Sequence, residues 1–84
     1  MNKATLQARL DQARVLAEAY SLDGDLPNER YVLSQEGSGS WEVYYSERGL
    51  KTNRHSFDSE SAACEFLLDQ ILNDPSTRQR SELG

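Results

Sequence analysis

His55 is the one imidazole in the chain and Cys64 the one thiol, so side-chain nucleophilic or proton-shuttle chemistry would have to be built around them. A catalytic histidine needs a nucleophile on one side and an orienting carboxylate on the other. Glu47 and Asp58 bring carboxylates near His55 in sequence, but no motif sets a nucleophile beside it. Cys64 lies among Ala62, Ala63, Phe66 and Leu67, surroundings that suit a small buried hydrophobe rather than an activated thiolate. It has no second cysteine with which to close an internal disulfide, and one His with one Cys falls short of a zinc set. Two carboxylate pairs, Glu42 with Glu47 and Asp58 with Glu60, would suit glycoside hydrolysis only across a cleft with one acid kept protonated. Both pairs read as solvated. Asp23, Asp25 and Glu29 share a loop, yet the glycine and closing glutamate spacing of a calcium loop are missing. The residues therefore point to a non-enzyme with no metal and no cofactor.

The elements that carry these residues follow from periodicity. Leu6, Leu10, Ala13, Leu16, Ala17 and Tyr20 recur at spacings of three and four, which predicts a helix from Asn2 to about Tyr20. Asp23-Gly24 and Leu26-Pro27-Asn28 then break it, with Leu22 and Leu26 expected to pin the loop to the core. Arg30–Glu36 predicts a first strand, Gly37-Ser38-Gly39-Ser40 a hairpin connection, and Trp41–Glu47 a second strand, after which Arg48-Gly49 turns the chain. Leu50–Phe57 predicts a third strand whose polar middle suits a sheet edge. Asp58 or Ser59 can cap a closing helix with the apolar stripe Ala62, Ala63, Phe66, Leu67, Ile71 and Leu72, Cys64 and Leu68 lying at its margin. Asn73-Asp74-Pro75 ends this helix, and residues 76–84 are polar and read as a frayed tail. The expected fold is a single two-layer α+β domain over residues 1–75: helix, three-stranded antiparallel meander, helix.

Composition narrows the function. The 84 residues carry a formal net charge of −5 and 27% charged side chains, a balance that disfavours a phosphate backbone and favours a basic protein partner. Lys51, Arg54, Arg48 and Arg30 could form a basic face beside Tyr44, but Glu36, Glu42 and Glu47 interleave with them as cross-strand ion pairs would. No apolar run approaches the ~18–20 residues that cross a bilayer, and Met1–Gln7 lacks the apolar core of a signal peptide, so a cytoplasmic location is expected. No membrane, nucleic-acid or small-molecule partner is implied. Alternation puts Trp41, Val43 and Tyr45 on one strand face, expected to be core, with Glu42, Tyr44 and Ser46 on the other. Tyr44 has two readings there: an exposed protein-binding anchor between acids, or an ordinary cross-strand packing residue.

The runs Tyr31-Val32-Leu33, Trp41-Glu42-Val43-Tyr44-Tyr45-Ser46-Glu47-Arg48-Gly49 and Phe57-Asp58-Ser59-Glu60-Ser61-Ala62-Ala63-Cys64 resemble small bacterial immunity proteins of polymorphic toxin systems, over about half the chain from Tyr31 to Leu72. The resemblance implies a cytoplasmic protein that binds one toxin domain and blocks its active site or its access to substrate. It carries over no family-wide binding residues. The interface expected from the residues is Glu42, Tyr44, Glu47 and Arg48, with Asp23 and Asp25 of the acidic loop as a second patch, facing a basic cognate toxin. The alternative is a small regulatory or adaptor protein-binding module, homodimeric through the edge of the third strand.

Overall fold

The computed structural model describes residues 1–24, 29–37 and 39–78. Its elements are α1 (Lys3–Gln12), a 3-10 turn at Ala17–Ala19, β1 (Tyr20–Ser21), β2 (Arg30–Glu36), β3 (Ser40–Glu47), β4 (Leu50–Phe57), α2 (Glu60–Leu72) and a second 3-10 turn at Pro75–Thr77. The strands form one open sheet in the order β1-β2-β3-β4. β2, β3 and β4 make the expected antiparallel meander, while β1 adds a parallel edge by pairing Tyr20 with Tyr31 and Ser21 with Val32. The fold is therefore α+β with a four-stranded mixed sheet, and the three-stranded antiparallel meander is only part of it.

α2 lies across β2, β3 and β4, and α1 packs against α2. The helices begin side by side: the Lys3 backbone N–H donates to Glu60 Oε2 at 2.9 Å, and the N-terminal amine of Met1 donates to Ser61 Oγ at 2.8 Å. Asn2 caps α1 through Thr5 N–H, and Ser59, rather than Asp58, caps α2 through Ala62 N–H. Leu6 and Leu10 of α1 share one core with Ala63, Cys64, Leu67 and Ile71 of α2 and with Leu33, Trp41 and Val43 of the sheet. Burying each such large side chain contributes about 1.5–3 kcal/mol. The buried stripe of α2 is rotated from the sequence expectation, with Cys64 and Leu68 buried inside it and Ala62 exposed.

The first helix is much shorter than its periodicity predicts. Arg14 adopts φ +62, Val15 N–H bonds Leu10 C=O at 3.0 Å, and Arg14 N–H bonds Asp11 C=O at 3.1 Å. That is a Schellman closure with arginine where glycine is usual, sealed by Leu10 and Val15 in the core. Val15 then bridges antiparallel to Arg78, and Leu16 N–H bonds Thr77 C=O at 2.7 Å. Tyr20, expected on the helix, is left to start β1. The ordered chain also runs past residue 75: Thr77 is buried and its hydroxyl donates to Ile71 C=O at 3.0 Å and Asp74 C=O at 2.7 Å, while Arg78 Nη2 donates to Leu72 C=O at 2.9 Å. The rest of the expected tail, residues 79–84, lies outside the described residues, as do Asp25 and Leu26; Leu22 is half-buried against the core. No helix among the described residues is long and apolar enough to cross a membrane.

Arg48 and Gly49 both have positive φ, +53 and +79, as a two-residue type I′ turn requires. Along β4 the pairing shifts by one residue: Val43 faces His55, but Tyr45 faces Thr52. Asn53 and Arg54 therefore both oppose Tyr44, and Asn53 takes φ +53 to make room. Asn53→Gly should retain or raise stability, whereas Asn53→Val, forced into the left-handed region, should lose about 1–2 kcal/mol. Urea unfolding midpoints of the two variants check this.

Candidate functional site

The bulge at Asn53 decides what the open face of the sheet looks like. Strict alternation would send Lys51 and Arg54 to opposite faces; the extra residue puts both over Glu42 and Tyr44. Arg54 Nη2 and Nε donate to Glu42 Oε2 at 2.8 and 3.0 Å, Lys51 Nζ donates to Oε1 at 3.2 Å, and the Lys51 ammonium sits 4.6 Å from the Tyr44 ring centroid. Burial pushes the Glu42 carboxyl up, but the bonds from Arg54 and Lys51 and their charges outweigh it, so the group is held below its ordinary value.

This corrects the expected interface. Tyr44 is only 2% exposed and Glu42 6%, so neither is a surface anchor; Tyr44 is the cross-strand packing residue of its two readings. Val32 and Ser46, fully buried on the same face, pack with them. Glu47 and Arg48 are exposed at the β3–β4 hairpin. Asp23 is an exposed acid 3.5 Å from Lys3 Nζ. The structure does not bring the five described positions into one patch, and Asp25 is outside the described residues.

His55 faces the helices and rests on Phe66, ring centroids 4.5 Å apart. Burial pushes the Cys64 thiol up, away from thiolate character. Among the described residues no group of three His, Cys, Asp or Glu side chains is gathered as metal ligands would be.

A concave site lies elsewhere, at the end of the sheet where β2 starts and β3 ends. There the segments that follow the two helices meet, and a cleft of about 190 Å³ opens between them. Leu16, Ala19 and Thr77 form its apolar side. Tyr31 and Tyr45, cross-strand partners, form an aromatic wall with ring centroids 5.0 Å apart and planes at 71°. Glu18, Glu29 and Asp74 bring carboxylates from three separate segments to its rim.

Asp74 anchors this corner. Its Oδ1 accepts from Ser76 N–H at 3.1 Å and from Ser76 Oγ at 2.6 Å, and its Oδ2 accepts from the Tyr31 hydroxyl at 3.0 Å. The Ser76 hydroxyl bond, opposed by burial and joined by the bond from Tyr31, holds the carboxyl below its usual range. Tyr31 is pushed up to about 12, first by burial and then by its bond to Asp74 and that carboxylate's charge. Tyr45 is raised as well, by burial and then by the charges of Glu29, Glu47 and Asp74. Both phenols are held protonated first by burial, with the neighbouring carboxylate charges adding in the same direction. Asp74 and Glu29 read in the sequence only as helix-stop and loop residues. The one available signal was the register that pairs Tyr31 with Tyr45.

Comparison with family models, curated proteins and solved structures gave no match.

Two outcomes follow for the charged groups. Glu42, depressed in the fold, contributes stability above the ordinary carboxylate pKa and loses it as pH falls through the folded value. Glu42→Gln should cost about 1–3 kcal/mol at neutral pH and flatten the acid limb of stability measured by urea unfolding. Tyr31, raised in the fold, contributes fully below its unfolded pKa of about 10 and loses that contribution as pH rises toward about 12. Tyr31→Phe should remove a high-pH step from the ultraviolet phenolate titration and weaken the alkaline fall in stability.

Proposed function

We propose that this protein is a non-enzymatic immunity protein that binds a cognate bacterial toxin domain by protein–protein contact in the cytoplasm and so neutralises it. The observation that carries this reading is the tyrosine-walled cleft rimmed by Glu18, Glu29 and Asp74, on a chain whose formal net charge is −5. A negative, partly desolvated concavity steers and orients a basic protein surface, and tyrosine supplies contact area at small entropic cost. Glu47, whose charge reaches Tyr45, and its neighbour Arg48 extend the surface onto the β3–β4 hairpin. Glu42 and Tyr44 serve it indirectly, by holding β4 against β3. The resemblance of the 31–33, 41–49 and 57–64 runs to immunity proteins supports the same class.

Homodimerisation through β4 is disfavoured, because the Asn53 bulge interrupts that edge and exposed Arg54 lies beside it. The pure chain should scatter light as a monomer. The toxin domain encoded beside this protein's gene should co-purify with it and be inhibited stoichiometrically. Glu29→Lys combined with Glu47→Lys should slow association by about tenfold or more at low salt while leaving the fold intact. Rising ionic strength should slow the wild type in the same direction. A neighbouring toxin domain that neither binds nor loses activity in surface-plasmon and toxicity assays would defeat the reading.

A further inference from the structure

The geometry points to the cleft as a receptor for one arginine side chain projecting from the partner, an inference that rests on the protein-binding reading above. Carboxylates alone make a solvated patch; here they rim a cavity with an aromatic wall and an apolar side. Its volume of about 190 Å³ lies below the roughly 300–1,000 Å³ of small-molecule pockets, which suits a single long side chain. The occupant is cationic on this reading, because among the described residues no basic side chain lines the cleft while Glu18, Glu29 and Asp74 do.

Shape selects guanidinium over ammonium. Tyr31 and Tyr45 stand at 71° to each other, so a planar cation can stack on the face of one ring while the other ring walls its side. Guanidinium is weakly hydrated and spreads its donors in one plane, which matches carboxylates arriving from three directions; ammonium is compact and strongly hydrated. Asp74 is already oriented to receive it. A carboxylate offers roughly four lone-pair positions, and bonds from Ser76 and Tyr31 occupy two on Oδ1 and one on Oδ2. The remaining position, on Oδ2, and the acceptor side of the Tyr31 hydroxyl are the places for the guanidinium N–H groups. The carboxyl end of α2, just before Asp74, adds the negative end of its dipole.

The test uses the isotope-labelled chain alone, titrated with N-acetyl-arginine amide, N-acetyl-lysine amide and N-acetyl-citrulline amide and followed by nuclear magnetic resonance. The arginine compound should give saturable millimolar shifts at Glu29, Tyr31, Tyr45 and Thr77. The lysine compound should bind several-fold more weakly, and neutral citrulline should leave those signals in place. Glu18→Gln with Glu29→Gln should weaken arginine binding about five- to tenfold, equivalent to about 1–1.4 kcal/mol. Tyr45→Leu should erase the preference for arginine over lysine, with circular dichroism confirming that both variants fold. Citrulline binding as well as arginine, or arginine shifts absent from these positions, would overturn the proposal. A toxin that binds wild type and the double glutamine variant equally would also overturn it while leaving the immunity reading standing. Arginine binding without any toxin binding would uphold the cleft and remove the immunity reading.

Discussion

Leu16 donates its backbone N–H to Thr77 C=O at 2.7 Å, and Val15 bridges to Arg78 beside it, so the chain just after α1 is clasped to the chain just after α2. Most of what distinguishes this domain depends on that clasp. It takes Val15 and Leu16 out of any continued helix and delivers Tyr20 and Ser21 to the edge of the sheet. From the other side, the Thr77 hydroxyl and Arg78 guanidinium bond the Ile71 and Leu72 carbonyls of the last turn of α2. The same contact carries Glu18 and Asp74 to Tyr31 and Tyr45. One backbone tie thus ends a helix, widens the sheet and assembles a cleft.

A second constraint acts on the opposite face. The single extra residue at Asn53 converts an alternating strand into one that presents two cations, Lys51 and Arg54, to one buried carboxylate, Glu42. Leaving Glu42 without them would strand a nearly enclosed charge, so bulge and ion cluster require each other. The cluster also covers Tyr44 and lets the open face bury Val32 and Ser46 without a second layer of helices. The expected anchor became part of the frame because the strand register slipped by one residue.

The charge distribution that results is divided. On the open face, Lys51 and Arg54 are both paired with Glu42. At the clasp end, acids from three segments line a cleft with two phenols, and among the described residues no lysine or arginine lines it. Cys64 is buried and His55, though exposed, rests on Phe66. The proposed recognition of a basic protein surface draws on this negative, concave corner.

Local chemistry sufficed for much of this architecture. β2 and β4 fall on Arg30–Glu36 and Leu50–Phe57 as alternation and turn residues predict, β3 starts one residue early at Ser40, and Ser59 caps α2. These elements were legible because each is set by neighbours within a few residues: a side chain's periodicity, a glycine's positive φ, a hydroxyl reaching the next turn. The end of α1, the parallel β1, the bulge and the cleft were not. Ala13, Leu16 and Tyr20 keep helical spacing whether or not the helix continues, and nothing local marks Arg14 as the residue that turns left-handed. What stops the helix is a hydrogen-bonding partner, Thr77, contributed from the far end of the chain. The amino-acid order therefore determined the α+β class, the meander and the negative charge, because those arise from short-range preferences and composition. Tertiary structure alone decided which tyrosines line a cleft and which acids surround them, because those positions depend on long-range backbone pairing and on strand register.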